Sequence, residues 1–291
     1  MNHSITVVVP VHNEKKYVEQ CITHILQQTI RDFELIVSDD GSDDGTQKIV
    51  QSFADPRISY IRNERQMGVS ATRNQAIQRA RGEYIFFTDG DCLVEPDWLE
   101  QGLKVFAQHD CVGVEGKLFF VAQDYHPVYS DRVVQNLHGS VYMTANMAYR
   151  RDVLLQAGLF DPALKRHQDL DLALRVKRFG EIVFAPEMIV RHAHTKWTPQ
   201  SYFRLAKAAY SVAHLYKRHA GRVPQLSISH RIYAPEKILA ILFPPSVLLT
   251  LFLYRYKTID DYVLFLLMYP RLVYERILLW RACWAEKVFL V

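Results

Sequence analysis

The sequence predicts an α/β fold with a mostly parallel central sheet, followed by a helical C-terminal segment. Three observations carry that expectation. Short apolar runs alternate with helix-length amphipathic ones through the first hundred residues, so successive strands are joined by right-handed crossovers. Three of the strand ends that such crossovers align are polar or acidic, at the edge where open parallel sheets gather ligands. Near Ala234 the composition shifts to apolar stretches broken by proline and arginine.

Ile5 to Val11 reads as a buried strand and Tyr17 to Gln28 as an amphipathic helix. Phe33 to Val37 is the next strand, and Thr46 to Phe53 the next helix. Ile58 to Ile61 is a short strand before a helix from Ser70 to Ala80. Glu83 to Phe87 is the fourth strand, and Pro96 opens a helix running to Ala107, since proline suits a first turn. Val112 to Val121 reads as a strand, Thr144 to Arg150 as a short extended piece, and Val153 sits in a helical turn. Asp169 to Phe179 reads as a helix, Ile182 to Val190 as a strand, and Ser201 to Arg218 as one long amphipathic helix.

Ile238 to Tyr254 and Tyr262 to Trp280 are apolar, but Pro244-Pro245 interrupts the first, and Arg271, Glu275 and Arg276 the second. Neither supplies the roughly 20 apolar residues of a spanning helix. Basic residues beside bulky apolar ones predict helices lying in the membrane interface; a buried helical hairpin is the alternative. The expected division is an α/β domain over residues 1–220 and a helical, interfacial segment over 221–291.

The hydrophobic share of 49% supports a sizeable core, and a net charge of +4 is far below a nucleic-acid binder's basic footprint. Cys21, Cys92, Cys111 and Cys283 have neither metal-ligand nor disulfide spacing, so reduced thiols are expected. The first strand begins close to Met1, which fits no signal peptide. The expected setting is cytoplasmic, at the inner face of the cell membrane.

The polar strand ends are Pro10-Val11-His12-Asn13-Glu14, Ser38-Asp39-Asp40-Gly41-Ser42-Asp43-Asp44-Gly45 and Thr88-Asp89-Gly90-Asp91. There is no P-loop and no GxGxxG, so the edge suits cations rather than a phosphate held by backbone amides alone. In this order and spacing the motifs closely resemble glycosyltransferase family 2, inverting enzymes of the GT-A type, whose domain is Rossmann-like. Arg81 to Ile85, Asn146 to Arg151, Gly158 to Asp161 and Gln168 to Arg175 extend the resemblance over roughly residues 4 to 195.

The resemblance implies a nucleotide-sugar donor and a divalent cation, Mg²⁺ or Mn²⁺, that neutralises the departing diphosphate. Asp91 becomes the direct metal ligand, with Asp89 in the same pair and nearer the donor ribose or sugar; Gly90 lets the backbone turn tightly between them. An Asp-Gly turn is the structural alternative. His192 completes the metal shell in preference to His194, unless it is a surface or hydrogen-bonding group. Asp40 accepts from a base imide N–H, which favours uridine or thymidine, while Asp43 and Asp44 cap the turn and helix start. Pro10, His12 and Glu14 pack around the nucleotide, with Asn13 a turn former. Gly68 belongs to the expected donor site, and Arg73 and Asn74, in the helix that follows it, reach the diphosphate, or Arg73 is a solvated helix charge.

The resemblance makes Asp169 the expected general base of an inverting transfer; its alternative role is the N-cap of its helix. Gln168 stands where the family has Glu. Asp171 and Arg175 are spaced for a helical ion pair. The acceptor, a glycan or lipid-linked glycan, is shaped by Asp124 to Thr144 and Asp161 to His167. A nucleotidyltransferase and a non-catalytic membrane-associated scaffold of the same fold are the competing readings.

Overall fold

A computed structural model describes residues 4–219, 248 and 254–287. The chain divides into two compact units. The first comprises residues 1–125, 134–164 and 168–193; the second comprises 126–133, 165–167 and 194–291. Residues 194–219 group with the C-terminal segment, as do the short pieces 126–133 and 165–167.

The first unit is built on β1 (Ile5–Val11), β2 (Glu34–Asp39), β3 (Ile58–Arg62), β4 (Tyr84–Phe87), β5 (Cys92–Val94), β6 (Cys111–Phe120), β7 (Met147–Arg150) and β8 (Glu181–His192). They form one sheet in the order β3-β2-β1-β4-β7-β6-β8-β5. The half from β3 to β4 is all parallel, with Val8 opposite both Ile36 and Phe87. Every residue of β1 and β2 is buried, as expected of strands covered on both faces. The other half is mixed: β7 runs antiparallel to β4 and β6, β5 antiparallel to β8, and β6 parallel to β8. The expected mostly parallel sheet is found: four of the seven pairings are parallel, and the three antiparallel ones lie beyond β4.

The helices of this unit are α1 (Val18–Leu26), α2 (Thr46–Ser52), α3 (Val69–Arg79), α4 (Trp98–Gln108), α5 (Arg151–Gln156) and α6 (Gln168–Val176). Pro96 lies outside α4, whose N-cap is Asp97. The proline instead ends the β5 turn, and its carbonyl accepts from Thr29 N–H. Helix α4 lies close on the sheet because a Cβ on Gly102 would come within 2.4 Å of the Phe86 ring. Trp98 is fully buried, and its indole N–H donates to Asn146 Oδ1 at 2.8 Å. That amide also donates to the carbonyls of Lys117 and Met188, so β6, β8 and α4 share one satisfied polar brace.

In the second unit, Ser201 to Arg218 is not one helix. It forms α7 (Pro199–Leu205) and α8 (Ala208–His219). Ala206, Lys207, Ala209 and Tyr210 donate to carbonyls three residues back, a tighter winding that breaks the α-helical ladder. The last helix, α9 (Ile259–Glu286), has 28 residues and covers the predicted Tyr262 to Trp280. Ala206, Ala209 and Ala213 pack on Leu278, Leu279, Ala282 and Cys283. Among the described residues no helix is long and apolar enough to cross a membrane. The stretch Ile238 to Tyr254 lies outside the described residues except for Leu248 and Tyr254.

Candidate active site

The parallel half sets the C-terminal ends of β1, β2 and β4 along one edge, and the loops there are laced together. Asn13 adopts φ +59° and its side-chain oxygen accepts from Asp43 N–H, while its own N–H donates to Ser42 Oγ. It is a turn former with a second role in tying β1 to β2. Glu14 N–H donates to Thr46 Oγ1, and His12 Nδ1 lies 3.0 Å from the Asp40 carbonyl. Pro10 sits in β1 opposite Ser38. Asp44 accepts from the N–H groups of Thr46 and Lys15, which holds its carboxyl below the usual range despite an opposing desolvation cost.

Asp39 and Asp40 have different partners. Asp39 accepts from Ser42 N–H and Oγ and from the Tyr60 hydroxyl, so its carboxylate is spent on the sheet. The Asp40 carboxylate holds the following loop: Oδ1 accepts from Asn63 Nδ2 and Met67 N–H, and Oδ2 from Gly68 N–H at 2.8 Å. Gly68 takes φ +96° at the N-cap of α3, a conformation only glycine adopts without strain. Asp40 thus fixes the loop that aims α3.

Arg73 on that helix is not a solvated charge. It is buried, donates to Asp89 Oδ1 at 2.7 Å, and stacks over the Phe160 ring with 5.5 Å to its centroid. Asn74 does not reach outward, because its amide forms two hydrogen bonds with the backbone of Phe160. It is a brace for the Gly158-Leu159-Phe160 turn, which Arg175 holds from the other side through the carbonyls of Ala157 and Leu159. Arg175 also pairs with fully buried Asp171 at 2.8 Å, the expected helical ion pair.

Gly90 does not take a left-handed φ; its requirement is space. A Cβ there would lie 2.9 Å from Val11 Cγ1 and 3.2 Å from Glu14 Cγ. Short strand β5, which has no counterpart in the expected elements, starts two residues on. Its register sets Cys92 opposite His192, and Ala193 N–H donates to the Asp91 carbonyl. Asp91 Oδ2 and His192 Nε2 are 3.4 Å apart.

Asp91, Cys92 and His192 bring their ligand atoms within 4.8 Å of one another. His192 Nδ1 lies 2.9 Å from the Ala193 carbonyl, which can only accept, so Nδ1 donates to it and Nε2 is the ring nitrogen that faces Asp91. Burial pushes the Cys92 thiol well above its ordinary value, with Asp91 and Asp89 adding to it. A protonated thiol is a poor ligand for a hard cation, so Asp91 and His192 fit Mg²⁺ or Mn²⁺ and Cys92 forms the wall. Asp89, also expected as a ligand, lies outside this cluster because its carboxylate is turned to Arg73. His194 belongs to the second unit, where it is 2.9 Å from Asp131 Oδ1.

Asp169 lies within the first turn of α6 rather than capping it; the helix begins at Gln168, and Asp169 Oδ1 accepts from Leu170 N–H. Burial raises its carboxyl above the usual value, opposed by that hydrogen bond and by the Arg73 charge and reinforced by Asp89. Those charges tie the base candidate electrostatically to the Arg73–Asp89 pair. Arg73 Nε, Thr88 Oγ1 and Gln168 Oε1 are buried without a protein partner, leaving polar capacity around these carboxylates.

Glu115 was not singled out by the motifs. It is buried in β6 and accepts from the N–H groups of Ser140, Val141 and Tyr142 and from Asn136 Nδ2. Gly139, Ser140 and Tyr142 all have positive φ, so one carboxylate holds a strained loop within the stretch expected to shape the acceptor site. A lone glutamate between glycines in an apolar strand was the available signal.

Residues 6–156 match Glycosyl transferase family 2. An Escherichia coli protein named as a colanic acid biosynthesis glycosyl transferase, WcaA, is 28% identical over 81% of this chain and 88% of its own length. A Bacillus subtilis protein named for teichuronic acid biosynthesis, TuaG, is 32% identical over 43% of this chain and 50% of its own. The mannosyltransferase PcManGT of Pyrobaculum calidifontis, solved with GDP-Man and Mn²⁺, shares the fold with a TM-score of 0.66 at 20% identity, over 96% of this chain and 87% of that one. TarS 1-349 of S. aureus, solved with UDP-GlcNAc, gives a TM-score of 0.57 at 18% identity, over 99% and 93%. With a family match over more than half its length and the acidic strand ends in one edge of an α/β sheet, the chain belongs to glycosyltransferase family 2.

Proposed function

We propose that this protein is an inverting, metal-dependent glycosyltransferase that moves a sugar from a pyrimidine nucleotide-sugar to a hydroxyl of a lipid-linked or cell-surface glycan in polysaccharide biosynthesis. The observation that carries the reading is the convergence of Asp91 with His192, of Arg73 with Asp89, and of Asp169 electrostatically coupled to both Arg73 and Asp89.

Asp91 and His192 would hold the divalent cation, which supplies Lewis-acid neutralisation of the leaving diphosphate. Arg73 fixes Asp89 toward the donor and is itself kept in place by Phe160. Asp169, its proton affinity raised by burial, accepts the proton of the attacking hydroxyl at its carboxylate. A single in-line displacement with one such base inverts the anomeric centre.

The hydrogen-bond tally at Asp40 supports a pyrimidine. A carboxylate offers about four acceptor positions, and three are used: Oδ1 twice and Oδ2 once. One further donor fits, matching the single imide N–H of uracil or thymine. Guanine presents two adjacent N–H donors that call for both oxygens. PcManGT, with GDP-Man, makes the guanine donor the arm to test alongside.

The assay is release of nucleoside diphosphate from UDP-, dTDP- and GDP-sugars with Mn²⁺, with and without EDTA. The reading expects EDTA-sensitive turnover of a UDP- or dTDP-sugar. Turnover confined to a GDP-sugar overturns the base assignment. No binding or turnover of any donor supports the non-catalytic scaffold, and pyrophosphate release from a sugar phosphate and a nucleoside triphosphate supports the nucleotidyltransferase.

A further inference from the structure

Helix α9 carries its charges and its apolar groups in an arrangement that an ordinary buried helix does not need. At 28 residues it is about 42 Å long. One face packs on α7 and α8 through Leu278, Leu279, Ala282 and Cys283. The opposite face is exposed and apolar along its whole length: Ile259, Val263, Leu266, Ile277, Trp280 and Trp284 recur at helical spacing. Leu266 is 72% exposed, Trp280 60% and Trp284 86%. Two tryptophans held in water are costly, whereas at a bilayer interface their rings are favoured.

The charges of this segment point the same way. Three of its four acidic groups are already engaged by the protein. Asp261 is buried and accepts from the N–H groups of Lys257, Thr258 and Ser130, Glu275 pairs with Arg271, and Glu286 pairs with Lys217. The exposed charges over 254–287 are four basic, Arg255, Lys257, Arg281 and Lys287, against one acidic, Asp260. An apolar, tryptophan-bearing stripe flanked by net positive charge complements an anionic lipid surface.

We propose that the outward stripe of α9 is the membrane-docking face of this protein, lying in the headgroup region of an anionic bilayer rather than crossing it. The inference gives the proposed membrane-presented acceptor a physical surface, and it rests on that part of the functional reading.

The test is co-sedimentation of the full-length chain with vesicles of phosphatidylglycerol and phosphatidylethanolamine, against phosphatidylcholine alone, beside donor hydrolysis in solution. The wild type is expected to bind the anionic vesicles and to be released by salt. The W280S/W284S and L266S/I277S variants are expected to bind about tenfold less or weaker still, each lost apolar side chain removing lipid contact. Their donor hydrolysis and thermal transition are expected to stay unchanged, since these side chains are exposed and stand outside the buried clusters of α9. Equal binding by wild type and variants overturns the stripe as the docking face. No binding by the wild type, with donor hydrolysis intact, overturns the membrane proposal and leaves the transferase reading standing. Loss of self-association in place of lost vesicle binding overturns it in favour of a dimer face.

Discussion

Asp169→Asn separates catalysis from stability in a way that few substitutions do. The variant keeps the side-chain shape, and its Oδ1 still accepts from Leu170 N–H, so the start of α6 is preserved. What it removes is the proton acceptor. Losing a positioned general base costs about 10²- to 10⁴-fold in kcat, or about 3–5 kcal/mol of barrier. The KM for the donor should barely move, because Asp40, Asp91 and Arg73 are untouched. The stability effect has the opposite sign. Burial raises the folded-state pKa above the unfolded value of 3.8. Below the unfolded value both states are protonated and the carboxyl costs nothing; as pH rises through the folded pKa, the folded state holds a desolvated charge and stability falls. Asp169→Asn should therefore melt at the same temperature as the wild type in acid and at the same or a higher one at neutral pH. The wild type's activity should rise with pH through an acid limb lying above the ordinary carboxylate range, and the residual activity of the variant should lack that limb. Glycosyl transfer measured by product mass, together with calorimetry in acid and in neutral buffer, gives both numbers. A loss of less than tenfold refutes Asp169 as the base, and a lower melting temperature at neutral pH refutes the account of a desolvated carboxylate.

Asp91→Asn and His192→Phe should each raise the Mn²⁺ concentration needed for half-maximal turnover by about 10- to 100-fold, with nucleotide binding in EDTA unchanged; a metal titration monitored by diphosphate release checks it, and an unaltered titration removes that residue from the metal shell. Glu115→Ala should destabilise the first unit by about 3 kcal/mol, since it orphans the three N–H groups and the amide the carboxylate now accepts from. Denaturant unfolding reads that loss, and proteolysis should find the Gly139–Tyr142 loop first. Gly90→Ala, whose Cβ would press on Val11 and Glu14, should weaken donor binding while costing about 1–3 kcal/mol of stability; isothermal titration with a UDP-sugar and a melting curve check the pair of effects.

The parallel half of the sheet was legible because β1, β2 and β4 have apolar centres and are separated by stretches of crossover length, and a rule about strand ends then points to Asp40, Asp89 and Asp91. The mixed half was not. Strand β5 has three residues, too few for any periodicity, yet its register with β8 is what brings His192 beside Asp91 from a hundred residues away. A sequence motif fixes which residues are acidic, but not what each one already holds. Asp39 and Asp40 are adjacent in the chain and differ in their partners: Ser42 and Tyr60 hold the first, and Asn63, Met67 and Gly68 hold the second. The same limit explains Asn74. Beside Arg73 it reads as a second diphosphate contact, and only the fold reveals that both ends of its amide are committed to Phe160. Glu115 carried the reverse signal, a charge in an apolar strand that must be paid for somewhere, without any hint of the loop it binds. Local pattern therefore locates an edge rich in carboxylates, whereas dividing them into metal, base-reading, catalytic and bracing groups depends on hydrogen bonds between distant segments. That is why the decisive experiments remove a single acceptor and read two properties at once.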